Sequence, residues 1–348
     1  MKKYIVILLG MLMTFGLVAC KGKEESEYLT TGYEQLEKLE YVAAESSFRQ
    51  AADAKENQTE CYRGLGISLM GQNRYEEAVD CFTTALKESG SKPSEIDYDI
   101  NYYLCVCYHK LGEYEKAKER YDAILVLKPK ETDAYMQRAT ENLYLKDIEA
   151  AQADFEKAIS LEKKNYKLYI DIYNLMTETG YQSIGTQYLE KALEKDDKNM
   201  SDFDKGYINY CLGNYPTAKN YLESARSDGN KSGELLLLLG RCYEELNETA
   251  YAIEQYRKYA ENTPDASVYN QLAAALISEE RYDEAIDACV AGLEVDSNEC
   301  RQQLLYNRIV AYEYLGDFDK AKELAAQYVV DYPSDETMAR EYKFLETR

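Results

Sequence analysis

Small apolar, bulky apolar and charged residues follow one another along this chain in an order that repeats many times. The segments Leu111–Ala117 and Leu315–Ala321 are nearly identical, and shorter relatives of them end at Ala78, Ala218 and Ala285. Alignment on the final alanine gives nine repeats spaced 33 to 39 residues apart. The aligned positions are Ala44, Ala78, Ala117, Ala151, Gly185, Ala218, Ala252, Ala285 and Ala321. A period of this length predicts stacked pairs of short helices rather than one globular core.

The pattern resembles the tetratricopeptide repeat, a helix–turn–helix of about 34 residues. The resemblance implies an all-α solenoid, a right-handed superhelix of about nine repeats over residues 25–335. These repeats are expected to start near residues 25, 59, 98, 132, 166, 199, 233, 266 and 302. Residues 336–348 are mostly polar but carry Met338, Tyr342, Phe344 and Leu345. We expect them to form a helix that caps the last hairpin, which an open-ended stack needs.

The resemblance also implies which residues bring the two helices of a hairpin together. The eighth position of each repeat should be small, and a large residue should follow four positions after the aligned alanine. The repeats that begin near 166 and 302 depart most from this rule. The small positions are Gly32, Gly66, Cys105, Ala139, Tyr173, Gly206, Gly240, Ala273 and Ile309. The large positions are Phe48, Phe82, Tyr121, Phe155, Leu189, Leu222, Tyr256, Cys289 and Ala325.

The first twenty residues are typical of an export signal. Lys2 and Lys3 precede an apolar run that is too short for a comfortable membrane span and ends in Leu17-Val18-Ala19-Cys20. This resembles the lipobox of bacterial lipoproteins, which implies that residues 1–19 are removed and that Cys20 carries the lipid. Residues 20–27 would then be a short tether at the extracytoplasmic face of the cell membrane, or of the outer membrane in a Gram-negative cell. The alternative is a plain secretory signal in which Cys20 is incidental.

Composition narrows the possible functions. The chain has 348 residues, 41 Lys plus Arg against 63 Asp plus Glu, and a formal charge of −22. Such a surface repels phosphate backbones, so no nucleic-acid partner is expected. A single histidine and the lack of phosphate-loop, serine-elbow or zinc-protease motifs argue against an enzyme, and no cofactor is expected.

The cysteines raise a metal hypothesis that the sequence does not favour. Cys105, Cys107 and His109 lie close together, but Cys107 should point away from the face that Cys105 and His109 share on a helix. A structural zinc site takes four ligands in two pairs, and no second pair accompanies this one. Core cysteines and no metal are therefore expected. The eight cysteines other than Cys20 follow no disulfide framework, so we expect mostly free, buried thiols, which suggests an anaerobic or reducing setting.

The resemblance places partner binding on a concave groove, lined by positions two, five, nine, twelve and thirteen of each repeat. Tyrosine suits this role because it offers a rigid ring and a hydroxyl group. The aromatic and apolar members are Tyr33, Tyr102, Met136, Tyr144, Phe203, Tyr207, Tyr210, Tyr306 and Tyr314. The charged and polar members are Arg63, His109, Lys110, Asn174, Arg241 and Glu313.

Two functions from different classes are compatible with this pattern. The first is a non-enzymatic, membrane-anchored scaffold that binds a partner peptide or protein in its groove. The second is a lipoprotein that captures a glycan or small molecule for a neighbouring transporter, although the chain has no tryptophan for a sugar platform. The carboxylate clamp of chaperone-binding relatives needs Lys and Asn where this chain has Leu29 and Tyr33, so that mode of binding is not expected.

Overall fold

A computed structural model describes residues 27–90, 93–195, 198, 200–295 and 300–348. Over these residues the chain forms nineteen α-helices and no strand. The helices are α1 Glu27–Glu37, α2 Tyr41–Asp53, α3 Gln58–Gly71, α4 Tyr75–Glu88, α5 Glu95–Lys110, α6 Tyr114–Leu127, α7 Thr132–Tyr144, α8 Ile148–Leu161, α9 Lys167–Glu178, α10 Gln182–Glu194, α11 Asp202–Cys211, α12 Tyr215–Ser227, α13 Gly233–Glu245, α14 Thr249–Asn262, α15 Ala266–Ser278, α16 Tyr282–Glu294, α17 Arg301–Leu315, α18 Phe318–Asp331 and α19 Glu336–Leu345. The predicted all-α repeat class is confirmed. The expected signal peptide and Cys20 lie outside the described residues.

The helices fall into two compact units. The N-terminal unit contains the described residues up to Asn165 together with Leu175–Tyr181, and the C-terminal unit contains Tyr166–Asn174 and Gln182–Arg348. In the N-terminal unit each helix from α1 to α8 packs against the next, and the same holds from α11 to α19 in the C-terminal unit. Among the described helices, none is long and apolar enough to cross a membrane.

Each hairpin turns at a residue with left-handed backbone geometry, five positions before the aligned small residue. Glycine holds this place at Gly112, with φ of 74°, and at Gly316, with φ of 87°. Glycine adopts this geometry without a steric penalty, which explains why Leu-Gly precedes the acidic residue in both of the most similar segments. The other seven turns hold the same geometry at Leu39, Asn73, Lys146, Gly180, Gly213, Asn247 and Glu280.

Glycines on first helices let large side chains of second helices approach the backbone. A Cβ atom on Gly206 would lie 2.6 Å from Leu222 Cγ, and one on Gly240 would lie 2.4 Å from Tyr256 Cε1. Likewise, a Cβ atom on Gly66 would lie 2.6 Å from Phe82 Cε1. The large partners Phe82, Leu222 and Tyr256 are fully buried. The expected pairing of the eighth position with the large position is therefore present in both units.

In the last repeat the large residue lies on the first helix and the small residue on the second. Ile309 on α17 and Ala325 on α18 are both buried in one apolar cluster. A large residue on the first helix and a small one on the second conserve the volume, which is the kind of exchange that cores tolerate best. Helix α19 packs on α18 and buries Met338 and Leu345. It therefore covers the apolar face that the last hairpin would otherwise expose.

The reciprocal packing predicts non-additive stability changes at Gly206 and Leu222. Gly206→Ala places a methyl group against Leu222 and should destabilise the chain by about 1–3 kcal/mol, although alanine is the better helix former. Leu222→Ala should cost about 2–5 kcal/mol because it leaves a cavity. Thermal unfolding followed by circular dichroism should show that the double variant is more stable than the sum of the two changes implies. Strictly additive losses would contradict the close approach.

Candidate functional site

The first helix of one repeat lies beside the first helix of the next within each unit. Contacts between helices two apart in sequence are most extensive for α1 with α3, α3 with α5, α11 with α13 and α15 with α17. All four pairs join first helices. Side chains at the expected groove positions of neighbouring repeats therefore lie next to one another in the described parts of both units.

In the N-terminal unit, Arg63 on α3 ties three first helices together. Its Nη1 donates to the hydroxyl group of Tyr33 on α1 at 3.1 Å, and its Nε donates to Asp99 Oδ2 on α5 at 2.5 Å. A second guanidinium nitrogen pairs with the same Asp99 carboxylate. The Tyr33 hydroxyl donates to Glu60 on α3. The guanidinium also lies 5.9 Å from the Tyr33 ring centre and 5.8 Å from that of Tyr103.

Two carboxylates of this network, Asp99 and Glu60, pair with its one cation. Arg63 is buried, and its side chain contacts both an aromatic pair and a carboxylate. Burial raises the pKa of the Tyr33 hydroxyl well above its usual range, although Arg63 opposes this. Burial also raises the pKa of Asp99, again against the effect of Arg63. Because carboxylates within the chain pair with the cation, this part of the face offers no free positive charge.

His109, at the end of α5, pairs with a buried carboxylate that the sequence analysis did not identify. Its Nδ1 lies 3.0 Å from Glu141 Oε1 and 3.1 Å from Oε2, and Glu141 is only 2% exposed. The imidazole stands edge-on to Tyr144 at 5.2 Å and to Tyr114 at 5.6 Å, while those two tyrosines stack at 4.7 Å. Burial raises the pKa of Glu141, and the hydrogen bond from His109 counteracts it.

The remaining predicted residues of the N-terminal unit are more dispersed. Tyr102 is half-buried and packs edge-on against Tyr121 and beside Tyr98, at centroid distances of 6.2 Å. Met136 is half-buried on α7, and Lys110 is exposed at the end of α5. These three residues are not joined to the Arg63 network or to His109 by any described hydrogen bond.

In the C-terminal unit, α11 presents Phe203, Tyr207 and Tyr210, all half-buried. Phe203 and Tyr207 meet edge to face at 6.1 Å, and Tyr210 lies 5.8 Å from Tyr215. Burial raises the pKa of Tyr207 to about 12, with Arg241 on α13 acting in the opposite direction. Arg241 is half-buried, acts on Tyr210 as well, and makes no ion pair within the described residues. Asn174 is half-buried on α9.

At the far end of this unit, Tyr306, Glu313 and Tyr314 lie on α17. Tyr314 is 64% exposed and stacks on Tyr282 of α16 at 5.4 Å with an interplanar angle of 8°. Burial, followed by the charge of Glu341 on α19, raises the pKa of Glu313 to about 7. Spacing within repeats could not identify Glu341, because it belongs to the capping helix.

The described residues offer no group of three or more side chains able to hold a metal ion. Cys105 and Cys107 are fully buried, and His109 faces Glu141 instead of either thiol. Seven cysteines, namely Cys61, Cys81, Cys105, Cys107, Cys211, Cys242 and Cys289, form no disulfide. Burial raises the pKa of Cys61 and Cys107 to about 12, so these thiols stay protonated and unreactive at neutral pH.

Comparison with known proteins agrees with this architecture. Models described as tetratricopeptide repeat match residues 69–143 and 212–276, residues 132–165 and 266–299, and residues 303–335. Because these matches cover more than half of the sequence, the chain belongs to the tetratricopeptide repeat family. Members of this family are generally interaction scaffolds rather than enzymes.

Individual relatives are distant. The chain is 25% identical over 164 residues to the BBSome complex member BBS4 of Xenopus tropicalis, over 46% of this chain and 30% of that protein. It is 21% identical over 140 residues to the Hsp70-Hsp90 organizing protein of Triticum aestivum, over 40% of this chain and 23% of that protein. The match thus spans about a third or less of these relatives. A solved tetratricopeptide repeat protein from Parabacteroides merdae superposes with a TM-score of 0.49 at 18% identity, over 82% of this chain and 97% of that one.

The Arg63 network predicts a large stability loss from a small change. Asp99→Asn removes the nearer countercharge and leaves the buried guanidinium only its longer pair with Glu60, at 3.6 Å, which should destabilise the N-terminal unit by about 3 kcal/mol at pH 7. Adding Arg63→Leu removes the stranded charge and should restore part of the loss. Urea unfolding of the two single variants and the double variant measures this coupling. A double variant as unstable as the sum of both singles would show that the pair is not coupled.

Proposed function

We propose that this protein is a non-enzymatic scaffold that binds a partner protein or peptide through the first helices of its repeats. The proposal rests on the burial and ring packing of the aromatic side chains on the first helices. Phe203, Tyr207, Tyr210 and Tyr306 are half-buried, and Tyr314 is exposed. All of these rings except that of Tyr306 pack against a neighbouring ring, while part of each surface stays open to solvent.

Such side chains are suited to recognition because little freedom is left to lose on binding. A tyrosine has only two side-chain torsions, and stacking already restricts them. In the N-terminal unit, the hydrogen bonds of Tyr33 and Arg63 fix the polar groups in the same way. A partner that covers these residues therefore gains contact area at a small entropic cost, which favours binding of an extended segment.

The family and its named members support the same class of function. The matched relatives include a member of the BBSome complex and an organizing protein for Hsp70 and Hsp90, and both names describe assembly with other proteins. The described faces offer few side chains that are available for catalysis. His109 is engaged by the buried Glu141, and burial keeps Cys61 and Cys107 protonated.

We further propose that the scaffold is held at the extracytoplasmic face of a bacterial membrane by lipid on Cys20. The support is the sequence Leu17-Val18-Ala19-Cys20 after an apolar run and two lysines. The strong negative charge of the chain would be repelled by an anionic membrane surface, so the lipid and not a basic patch would supply the attachment.

Replacement of two groove tyrosines should separate binding from folding. Affinity capture of the lipidated protein from membranes, followed by mass spectrometry, should recover a stoichiometric protein partner. Tyr207→Ala with Tyr210→Ala should lose it, because both rings lie on the first helix α11. Tyr251→Ala, which removes an exposed tyrosine from the second helix α14, is the matched control and should retain the partner. Unchanged recovery with the double variant would count against this face.

The anchor is tested independently of the groove. Cys20→Ala should move the protein from the membrane fraction to the soluble fraction, and metabolic labelling with a radioactive fatty acid should disappear. Cys81→Ala, which removes a thiol of α4, should change neither result. Labelling that persists after Cys20→Ala would contradict the lipobox assignment.

A further inference from the structure

The single histidine of the chain joins two first helices of the N-terminal unit through a buried carboxyl group. His109 Nδ1, in the last turn of α5, lies 3.0 Å and 3.1 Å from the two carboxyl oxygens of Glu141 on α7. Glu141 is 2% exposed, and no other group of the described residues donates to its carboxyl oxygens. Because a buried polar group needs a hydrogen-bond partner, this acid depends on one imidazole nitrogen.

The imidazole ring is held in place but remains open to water. Tyr114 and Tyr144 meet it edge-on at centroid distances of 5.6 Å and 5.2 Å. The second ring nitrogen, Nε2, has no hydrogen-bond partner within the described residues and is not buried. His109 can therefore exchange a proton with solvent while its ring keeps its position, and histidine is the side chain that changes charge near neutral pH.

The two protonation states of His109 bind the carboxyl group with different strength. A neutral imidazole that donates from Nδ1 leaves the buried negative charge of Glu141 without a counterion. A protonated imidazole makes the same hydrogen bond with a full positive charge, and a bond between two charged groups is the stronger kind. The pKa of Glu141 reflects this balance, because burial raises it while the hydrogen bond and the charge of His109 lower it.

The neighbouring groups do not replace His109 in this role. The other titratable or charged groups beside the pair are Cys105 and Lys110 on α5, Tyr114, Arg120 and Tyr121 on α6, Tyr144 on α7 and Glu178 on α9. Burial raises the pKa of Cys105 and Tyr121 well above their ordinary values and also raises that of Tyr144. Arg120 keeps its charge, but within the described residues it makes no ion pair with Glu141.

We propose that His109 and Glu141 form a pH-sensitive clamp, which holds α5 and α7 together more tightly when the imidazole is protonated. The clamp joins the first helices of the third and fourth repeats, whose expected groove residues include Tyr102 and Met136. Protonation also changes Nε2 from a hydrogen-bond acceptor into a donor. The inference concerns the free chain and does not rest on the proposed scaffold function.

The first test locates the proton in the unaltered protein. The full chain is labelled with nitrogen-15 in histidine only, so its nuclear magnetic resonance spectrum contains the two ring nitrogens of one residue. At pH 8.5 the chemical shifts should place the proton of the neutral ring on Nδ1, where Glu141 accepts it. At pH 5.5 both nitrogens should carry a proton. A neutral ring with its proton on Nε2, or the same charge state at both pH values, would overturn the clamp.

The second test measures the interaction of the two side chains at both pH values. Melting temperatures are recorded by circular dichroism for the wild-type chain, His109→Gln, Glu141→Gln and the double variant. The departure from additivity isolates the pair from other groups that titrate. It should be about 3 °C larger at pH 5.5 than at pH 8.5, because only the protonated ring adds charge attraction. Equal departures at the two pH values would contradict the proposal.

An ion pair without histidine is the matched control. Arg138 Nε on α7 donates to Asp154 Oδ2 on α8 at 2.9 Å, and this cation is 22% exposed, close to the 19% of His109. Because arginine does not titrate, the cycle of Arg138→Gln and Asp154→Asn should depart from additivity equally at both pH values. A control that changes as much as the histidine pair would show that His109 is not the cause. If Glu141→Gln does not fold, the ring nitrogens of the wild-type chain still decide.

Discussion

The close approach of two helices within each hairpin is the constraint on which the rest of the structure depends. A glycine or another small residue on the first helix admits a large side chain from the second, as Gly206 admits Leu222 and Gly240 admits Tyr256. A turn residue with left-handed backbone geometry, such as Gly112, reverses the direction of the chain. Because this packing fixes both helices, the first helices of successive repeats lie side by side and hold their outward residues in register.

The two units differ in how the charged side chains of their first helices are paired. In the N-terminal unit Arg63 pairs with Asp99, and His109 lies against the buried Glu141. In the C-terminal unit Arg241 has no described ion pair, and burial together with the charge of Glu341 raises the pKa of Glu313. Internal balance favours rigidity, whereas an unrelieved charge favours a ligand that relieves it.

The sequence predicts the architecture well because its signals are local and periodic. Small and large residues such as Gly66 and Phe82 recur at fixed spacing, and each pair needs only its own hairpin to form. Partners from other helices leave no such signal. The sequence does not distinguish the buried Glu141 from the many other acidic residues of the chain, and Glu341 lies outside the repeats. In the sequence, Ile309 and Ala325 depart from the repeat pattern. In the structure both lie in one apolar core, because the large and the small residue have exchanged helices.

The central claim is that a protein partner binds across the first helices. Hydrogen–deuterium exchange of the full chain, with and without the captured partner, tests it most directly because exchange reports on each helix separately. The account predicts new protection in α11, α13 and α17 on binding, with α12, α14 and α16 unchanged. Protection confined to the second helices would contradict it.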